Sequence, residues 1–162
     1  MPEVDASLPD GQLVDGGVHE FLPASYADFT AALGFTLCCL QRFQAMRTRT
    51  VIWCSFGGRA DFPNNPYPQG LLSLGVDPTH FLRVQVNTEK EFLWVLEEGL
   101  ASKAGPLVVG AYTGAERLYN FTTSRRLSLR AARHGGTLLI LRNYRASQLK
   151  QQGQSTAAAT RW

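Results

Sequence analysis

Pro106-Leu-Val-Val-Gly-Ala111 carries no polar side chain, and this run predicts a strand that is buried on both faces of a sheet. The predicted strands of the chain cover residues 18–22, 51–55, 81–86, 106–111 and 137–141. Between them, apolar residues recur every three to four positions, which is typical of helices with one face against a sheet. These predicted helices cover about residues 25–47, 70–74, 88–100 and 122–133. The alternation predicts an α/β fold with a mostly parallel sheet and helices on both faces.

The 162 residues are enough for one domain, and 44% of them are apolar, so a sizeable core is expected. We expect a flexible N-terminus over residues 1–11, a core over residues 12–142, and a polar loop with the start of a final strand over residues 143–162. No signal peptide or membrane-spanning run is visible, and three cysteines do not suggest a disulfide framework. The sequence therefore predicts a cytoplasmic location.

Charge is distributed very unevenly along the chain. Residues 1–116 hold 13 acidic and 7 basic residues, whereas residues 117–162 hold 9 basic residues and no acidic one. Arg126, Arg130 and Arg133 fall on one face of a predicted helix, where they form a cationic stripe. The predicted contact residues for DNA or an acidic protein are Arg125, Arg126, Arg130, Arg133, Arg142, Arg145 and Arg161. The alternative is an ordinary solvated helix face.

The two sequence elements of an ATP site are missing. A phosphate-binding loop requires G-x-x-x-x-G-K-[ST], but Pro23, Asp28 and Phe29 occupy the two glycine positions and the lysine position. The strand at residues 106–111 ends in Gly110 and Ala111, where a magnesium-binding acid is expected. We therefore expect no nucleotide cofactor and no ATPase activity.

Other catalytic patterns are weak. Cys54-Ser-Phe-Gly57 resembles half of a nucleophile elbow, and Asp77 and His134 follow in the chain order of a hydrolase triad. Trp53 replaces the first glycine of that motif, so a simple serine at the end of a strand is favoured. The three cysteines and three histidines lack the spacing of metal ligands, and we expect buried thiols and no metal site.

Several segments resemble the ImuA family in order along residues 12–162. They are Gly17-Val-His-Glu-Phe21, Ala31-Ala-Leu-Gly-Phe35, Gly70-Leu-Leu-Ser-Leu-Gly-Val-Asp-Pro78, Phe121-Thr-Thr-Ser-Arg-Arg-Leu127, Leu138-Leu-Ile-Leu-Arg142 and Ser155-Thr-Ala-Ala-Ala-Thr-Arg-Trp162. The resemblance implies a single RecA-like domain, related to the cell-division inhibitor SulA. Family members usually continue beyond the Thr-Arg-Trp motif, so the sheet is expected to be incomplete at the C-terminus.

The same resemblance implies a function. The implied function is that of a non-catalytic accessory protein in SOS-induced mutagenic translesion synthesis. In this process, which belongs to the DNA-damage response, DNA is copied past lesions. The implied partners are ImuB (an inactive relative of Y-family polymerases), RecA and, indirectly, an error-prone C-family polymerase, with DNA as a further candidate for the basic half. The competing hypotheses are a SulA-like inhibitor that binds the division protein FtsZ, and an enzyme that uses Ser55 or a degenerate ATP site.

Overall fold

The computed structural model describes residues 2–8, 11, 13–46, 49–57, 66–103, 106–112, 117–144 and 155–162. Along the chain the elements are α1 (Pro2–Ala6), β1 (Val18–Phe21), α2 (Phe29–Met46), β2 (Val51–Phe56), α3 (Pro68–Ser73), β3 (Phe81–Val86), α4 (Glu89–Leu100), β4 (Leu107–Tyr112), α5 (Phe121–His134), β5 (Thr137–Leu141) and β6 (Thr160–Arg161). The alternation of strands and helices that the sequence predicts is thus confirmed.

The strands form one sheet in the order β3-β2-β4-β5-β1-β6, and every pairing in it is parallel. The chain moves one way across the sheet through α2 and α3 and returns through α4 and α5. Right-handed crossovers therefore place the two pairs of helices on opposite faces. The core is accordingly divided, with Leu40 of α2 in one apolar cluster and Leu96 of α4 in the other. Helices cover both faces, as predicted.

The ends of the helices follow local hydrogen bonding. Thr88 and Glu91 form a reciprocal capping box at the start of α4, which satisfies backbone N–H groups that have no partner in the first turn. The start of α2 differs from the sequence prediction, which placed it near Ser25. Ser25 instead donates a 2.7 Å hydrogen bond to Asp28, and the resulting turn delays the helix until Phe29 and leaves Tyr26 exposed.

The N-terminal segment, which was predicted to be flexible, contains a short helix. Residues 2–6 form α1, and Val4 and Leu8 pack against the core beneath α2. Asp5 forms an ion pair with Arg42 of α2. Two apolar side chains and one ion pair thus connect this helix and Leu8 to the rest of the domain.

The last strand, β6, is attached to β1 by a chain of polar side chains. The Trp162 indole donates a 2.9 Å hydrogen bond to the Thr160 hydroxyl, which lies 2.8 Å from Nδ1 of His19. Nε2 of His19 lies 2.9 Å from the carbonyl oxygen of Val14, which can only accept. Burial lowers the pKa of His19, so the ring is neutral, Nε2 carries the proton and Nδ1 accepts from Thr160.

A second polar group joins the amino ends of three strands. Arg49 precedes β2 and donates two hydrogen bonds, of 2.7 and 2.6 Å, to the Asp15 carboxylate before β1. Thr137 at the start of β5 donates a third hydrogen bond, of 2.7 Å, to the same carboxylate. These bonds, above all the two from Arg49, lower the pKa of Asp15 from 3.8 to about 2.

We expect Asp15→Asn to lower the free energy of unfolding at pH 7 by about 2 kcal/mol, because it leaves the buried Arg49 guanidinium without its counterion. Since the folded pKa of Asp15 is depressed, its contribution is present above pH 3.8 and is lost as the pH falls from 3.8 towards about 2. Urea denaturation followed by circular dichroism should show that the gap between wild type and variant closes over this interval. Asp28→Asn, at an exposed carboxylate, is the control. A gap that stays constant down to pH 2 would contradict the assignment.

Candidate protein-interaction surface

The loop after β1 lies where a phosphate-binding loop would be in a sheet of this kind. Phe29, at the position of the required lysine, is buried in the core between α2 and the sheet. A depression of about 320 Å³ adjoins this loop, and its lining is mostly apolar, with Pro23, Phe35 and Trp162 among the contributing residues. Asp28 is the charged residue of this lining and would repel a phosphate. The residues that are present do not suit a nucleotide.

The carboxyl end of β4 is packed too closely to hold an acid at position 110. A Cβ atom added to Gly110 would lie 2.9 Å from Cζ of Phe92 and 3.2 Å from Leu96, both on α4. The next side chain on the same face, Tyr112, donates its hydroxyl hydrogen bond to Glu89. Gly110 is therefore required by the close approach of α4 to the sheet.

The hypothetical catalytic residues are not brought together. Ser55 lies near the carboxyl end of β2, whereas Asp77 precedes β3 and His134 precedes β5. In a parallel sheet the amino ends of the strands share one edge, so Ser55 lies at the edge opposite to both. The Ser55 hydroxyl is buried and finds no hydrogen-bond partner among the described residues.

The cysteines behave as apolar side chains. Cys39 and Cys54 are buried, Cys38 is partly exposed, and none of the three forms a disulfide. Burial raises the pKa of Cys39 and of Cys54 to about 12, so neither thiol ionises near neutral pH. Within the described parts of the chain, no three His, Cys, Asp or Glu side chains are grouped to hold a metal ion. Among the described helices, none is long and apolar enough to cross a membrane.

A buried charged cluster surrounds Glu20 of β1, and the sequence analysis missed it. The carboxylate of Glu20 accepts hydrogen bonds from the Tyr119 hydroxyl at 2.6 Å, from Arg161 Nε at 3.0 Å and from Arg142 Nη1 at 3.3 Å. The Arg142 guanidinium also lies over the Tyr119 ring, 4.9 Å from its centroid. The available signal was an acidic residue in the middle of a buried strand, which requires a cationic partner.

This cluster corrects part of the predicted contact surface. Arg142 is only 1% exposed, so the prediction that it contacts DNA or a partner is wrong. Its charge is used inside the domain because it follows β5 directly and meets Glu20 on the neighbouring β1. Arg161 of β6 donates to the same carboxylate but stays partly exposed, so its predicted contact with a partner remains a prediction. Arg145 lies outside the described residues.

The outer side of α5 retains the other predicted arginines. Arg126 forms an ion pair with Glu97 of α4, and Arg130 lies 3.6 Å from Glu97 and 3.3 Å from Glu98. Arg125 and Arg133 are exposed and have no ion-pair partner within the part of the chain that the structure describes. Of the four predicted contact arginines on α5, two are therefore held by α4 and two face solvent.

Large apolar side chains lie among these arginines, which the charge pattern did not suggest. Leu129 in α5 and Trp94 in α4 are both 62% exposed, and Phe121 at the start of α5 is also exposed. A depression of about 540 Å³ on α5 includes Leu129 and Arg126, and one of about 390 Å³ between α4 and α5 includes Trp94 and Arg126. The basic–apolar face consists of Trp94, Phe121, Arg125, Arg126, Leu129, Arg130 and Arg133. Exposed apolar groups in a polar rim are typical of protein-binding surfaces.

We expect calorimetric titration of the protein with millimolar Mg-ATP to show no saturable heat. The physical reason is that Phe29 and Gly110 occupy the positions of the required lysine and acid, and packing fixes both residues. A nucleotide-binding ATPase titrated in the same buffer is the positive control. Saturable binding with a micromolar dissociation constant would refute this expectation.

We expect Arg142→Met to lower the free energy of unfolding by about 3 kcal/mol, because removing one partner leaves the Glu20 carboxylate poorly compensated inside the core. Arg125→Met is the matched control, since it removes an exposed arginine and should leave stability nearly unchanged. Urea denaturation of both variants measures the difference. Equal effects of the two substitutions would show that Arg142 does not act as a buried counterion.

Comparison with known proteins supports the fold assignment. No protein-family model matches the sequence, and no curated protein matches it. Among solved structures, the fold is similar to that of SulA from Pseudomonas aeruginosa, with a TM-score of 0.51 and 19% sequence identity. The similarity covers 78% of this chain and 97% of the SulA chain. This protein therefore has a SulA-like α/β fold.

Proposed function

We propose that this protein is a non-catalytic accessory protein of SOS-induced mutagenic translesion synthesis, which binds ImuB and RecA through the basic–apolar face. The resemblance of its sequence to the ImuA family over residues 12–162 supports this role. The SulA-like fold agrees with that resemblance, because the family is related to SulA.

The observation that carries a binding role is the exposure of Leu129 and Trp94 on neighbouring helices, within a rim of arginines. When a partner removes these side chains from water, the free energy of the complex falls by roughly 25 cal/mol for each Å² of apolar surface that is buried. The arginines supply directional hydrogen bonds to carboxylates around that apolar centre. Such an arrangement suits recognition of another protein.

The non-catalytic part of the proposal draws on the packing at the carboxyl edge of the sheet. Ligands of parallel α/β sheets bind beyond the carboxyl ends of the strands. Here a buried phenylalanine follows β1, and a glycine pressed against α4 lies near the end of β4. Both features favour a domain that kept the architecture of a nucleotide-binding fold and acts through its surface.

A second candidate is supported by the comparison with SulA. A SulA-like protein of this size would bind FtsZ and block its polymerisation, and the shared fold favours this alternative. The two candidates differ in their partner, so a direct binding comparison separates them.

We expect the purified protein to bind ImuB or RecA of the source organism in biolayer interferometry, and to leave the GTPase activity and polymerisation of FtsZ unchanged. In cells that lack the native gene, expression of this chain should restore damage-induced mutagenesis. Leu129→Ser should weaken partner binding, because it removes the apolar centre of the face. Leu72→Ser is the control on α3, since Leu72 is similarly exposed at 61%. Inhibition of FtsZ polymerisation without binding to ImuB or RecA would replace the proposal with the division-inhibitor role.

A further inference from the structure

The charges of the basic–apolar face are more nearly balanced than the sequence suggests. Glu97 forms ion pairs with both Arg126 and Arg130, and Glu98 forms a further ion pair with Arg130. The carboxylate of Glu98 is 52% exposed, so it would repel a phosphate that approached Arg130. The unneutralised charge is therefore concentrated at Arg125 and Arg133.

The geometry of these two arginines is regular. Arg125, Leu129 and Arg133 are spaced four residues apart on α5, so they follow one another along nearly the same side of the helix. At a rise of 1.5 Å per residue, the two arginines lie roughly 12 Å apart along the helix axis, with Leu129 midway between them. Trp94 on α4 is a second exposed apolar group, in a neighbouring depression that shares Arg126 with the depression of Leu129.

This arrangement fits a protein better than a nucleic acid. A DNA backbone would gain from Arg125 and Arg133, but it offers no apolar surface for Leu129 and Trp94 and would be repelled by Glu98. A protein segment with carboxylates on both sides of an apolar side chain satisfies all of these groups together. On a helix, acid–apolar–acid positions at i, i+4 and i+8 reproduce the same spacing of roughly 12 Å between carboxylates.

We propose that the basic–apolar face binds an acidic amphipathic helix of the partner, with an apolar anchor against Leu129 and Trp94 and carboxylates at i−4 and i+4 on Arg125 and Arg133. The identity of the partners rests on the proposed function, whereas the chemistry of the bound segment rests on the geometry of α4 and α5. DNA is the competing occupant, and the experiment includes it.

The test uses the full chain and fluorescein-labelled 18-residue helical peptides in fluorescence anisotropy at roughly 0.15 M salt, where long-range attraction is screened. The principal peptide carries Glu, Leu and Glu at i, i+4 and i+8. Three control peptides replace the leucine with serine, replace both glutamates with lysine, or keep the composition and change the spacing. Single-stranded and duplex DNA of equal length complete the set. We expect the principal peptide to bind at least about tenfold more tightly than each control peptide.

Protein variants locate the binding. Leu129→Ser and the double substitution Arg125→Glu/Arg133→Glu should each weaken binding of the principal peptide by about tenfold or more. The matched controls are Leu72→Ser for the apolar change and Arg83→Glu, on the exposed edge strand β3, for the charge change. Each control should change the affinity by less than about twofold. Circular dichroism establishes that every variant is folded.

The outcomes separate this inference from the proposed function. The inference is overturned if no peptide binds, or if DNA binds with a steep salt dependence that Arg125→Glu/Arg133→Glu removes and Leu129→Ser does not change. Binding of ImuB or RecA that is insensitive to Leu129→Ser also overturns it; the accessory role then stands, but its assignment to the basic–apolar face falls. Peptide binding as expected, without binding of ImuB or RecA, supports the inference and removes the proposed function.

Discussion

The charged cluster at Glu20 is the constraint on which the carboxyl edge of the sheet depends. A carboxylate inside the domain has lost its hydration, and this loss costs several kcal/mol unless hydrogen-bonding partners replace the water. The partners here come from three places: Arg142 after β5, Arg161 in β6 and Tyr119 before α5. Because they converge on one group, the position of β6 and the entry into α5 are fixed together.

The folded domain compensates much of the charge separation seen along the chain. The basic C-terminal part and the acidic remainder meet at two places, inside the domain at Glu20 and on its surface where α5 packs against α4. Of the nine basic residues after position 116, seven lie in the described part of the chain, and four of these form ion pairs in these two places. What the surface offers to a partner is therefore a few arginines around exposed apolar side chains, and this is a more selective surface than a polycation.

The elements of the fold could be predicted from the sequence because they depend on local periodicity. The apolar run at residues 106–111 and the capping residue Thr88 identify a buried strand and a helix start without knowledge of their neighbours. The site was predicted only in part, because the use of a charged side chain depends on what the fold places beside it. Arg142 and Arg125 look alike in sequence, yet one follows a strand that adjoins Glu20 and the other lies on a solvated helix face. The apolar part of the surface was missed because Trp94 and Leu129 are residue types that usually lie in the core.

The order of strands in the sheet has a consequence for how the chain acquires its structure during synthesis. β1 leaves the ribosome early, but its two neighbours are β5 and β6, and Val18 pairs with Leu138, 120 positions later. Closing so long a loop costs conformational entropy before any contact is gained, and parallel pairings of high sequence separation form slowly. Until β5 and β6 are made, β1 exposes both of its edges, and Glu20 has neither of its arginines. The growing chain thus passes through a stage in which the unpaired edges of β1 are open to aggregation, and the availability of a chaperone at that stage would limit how much protein matures.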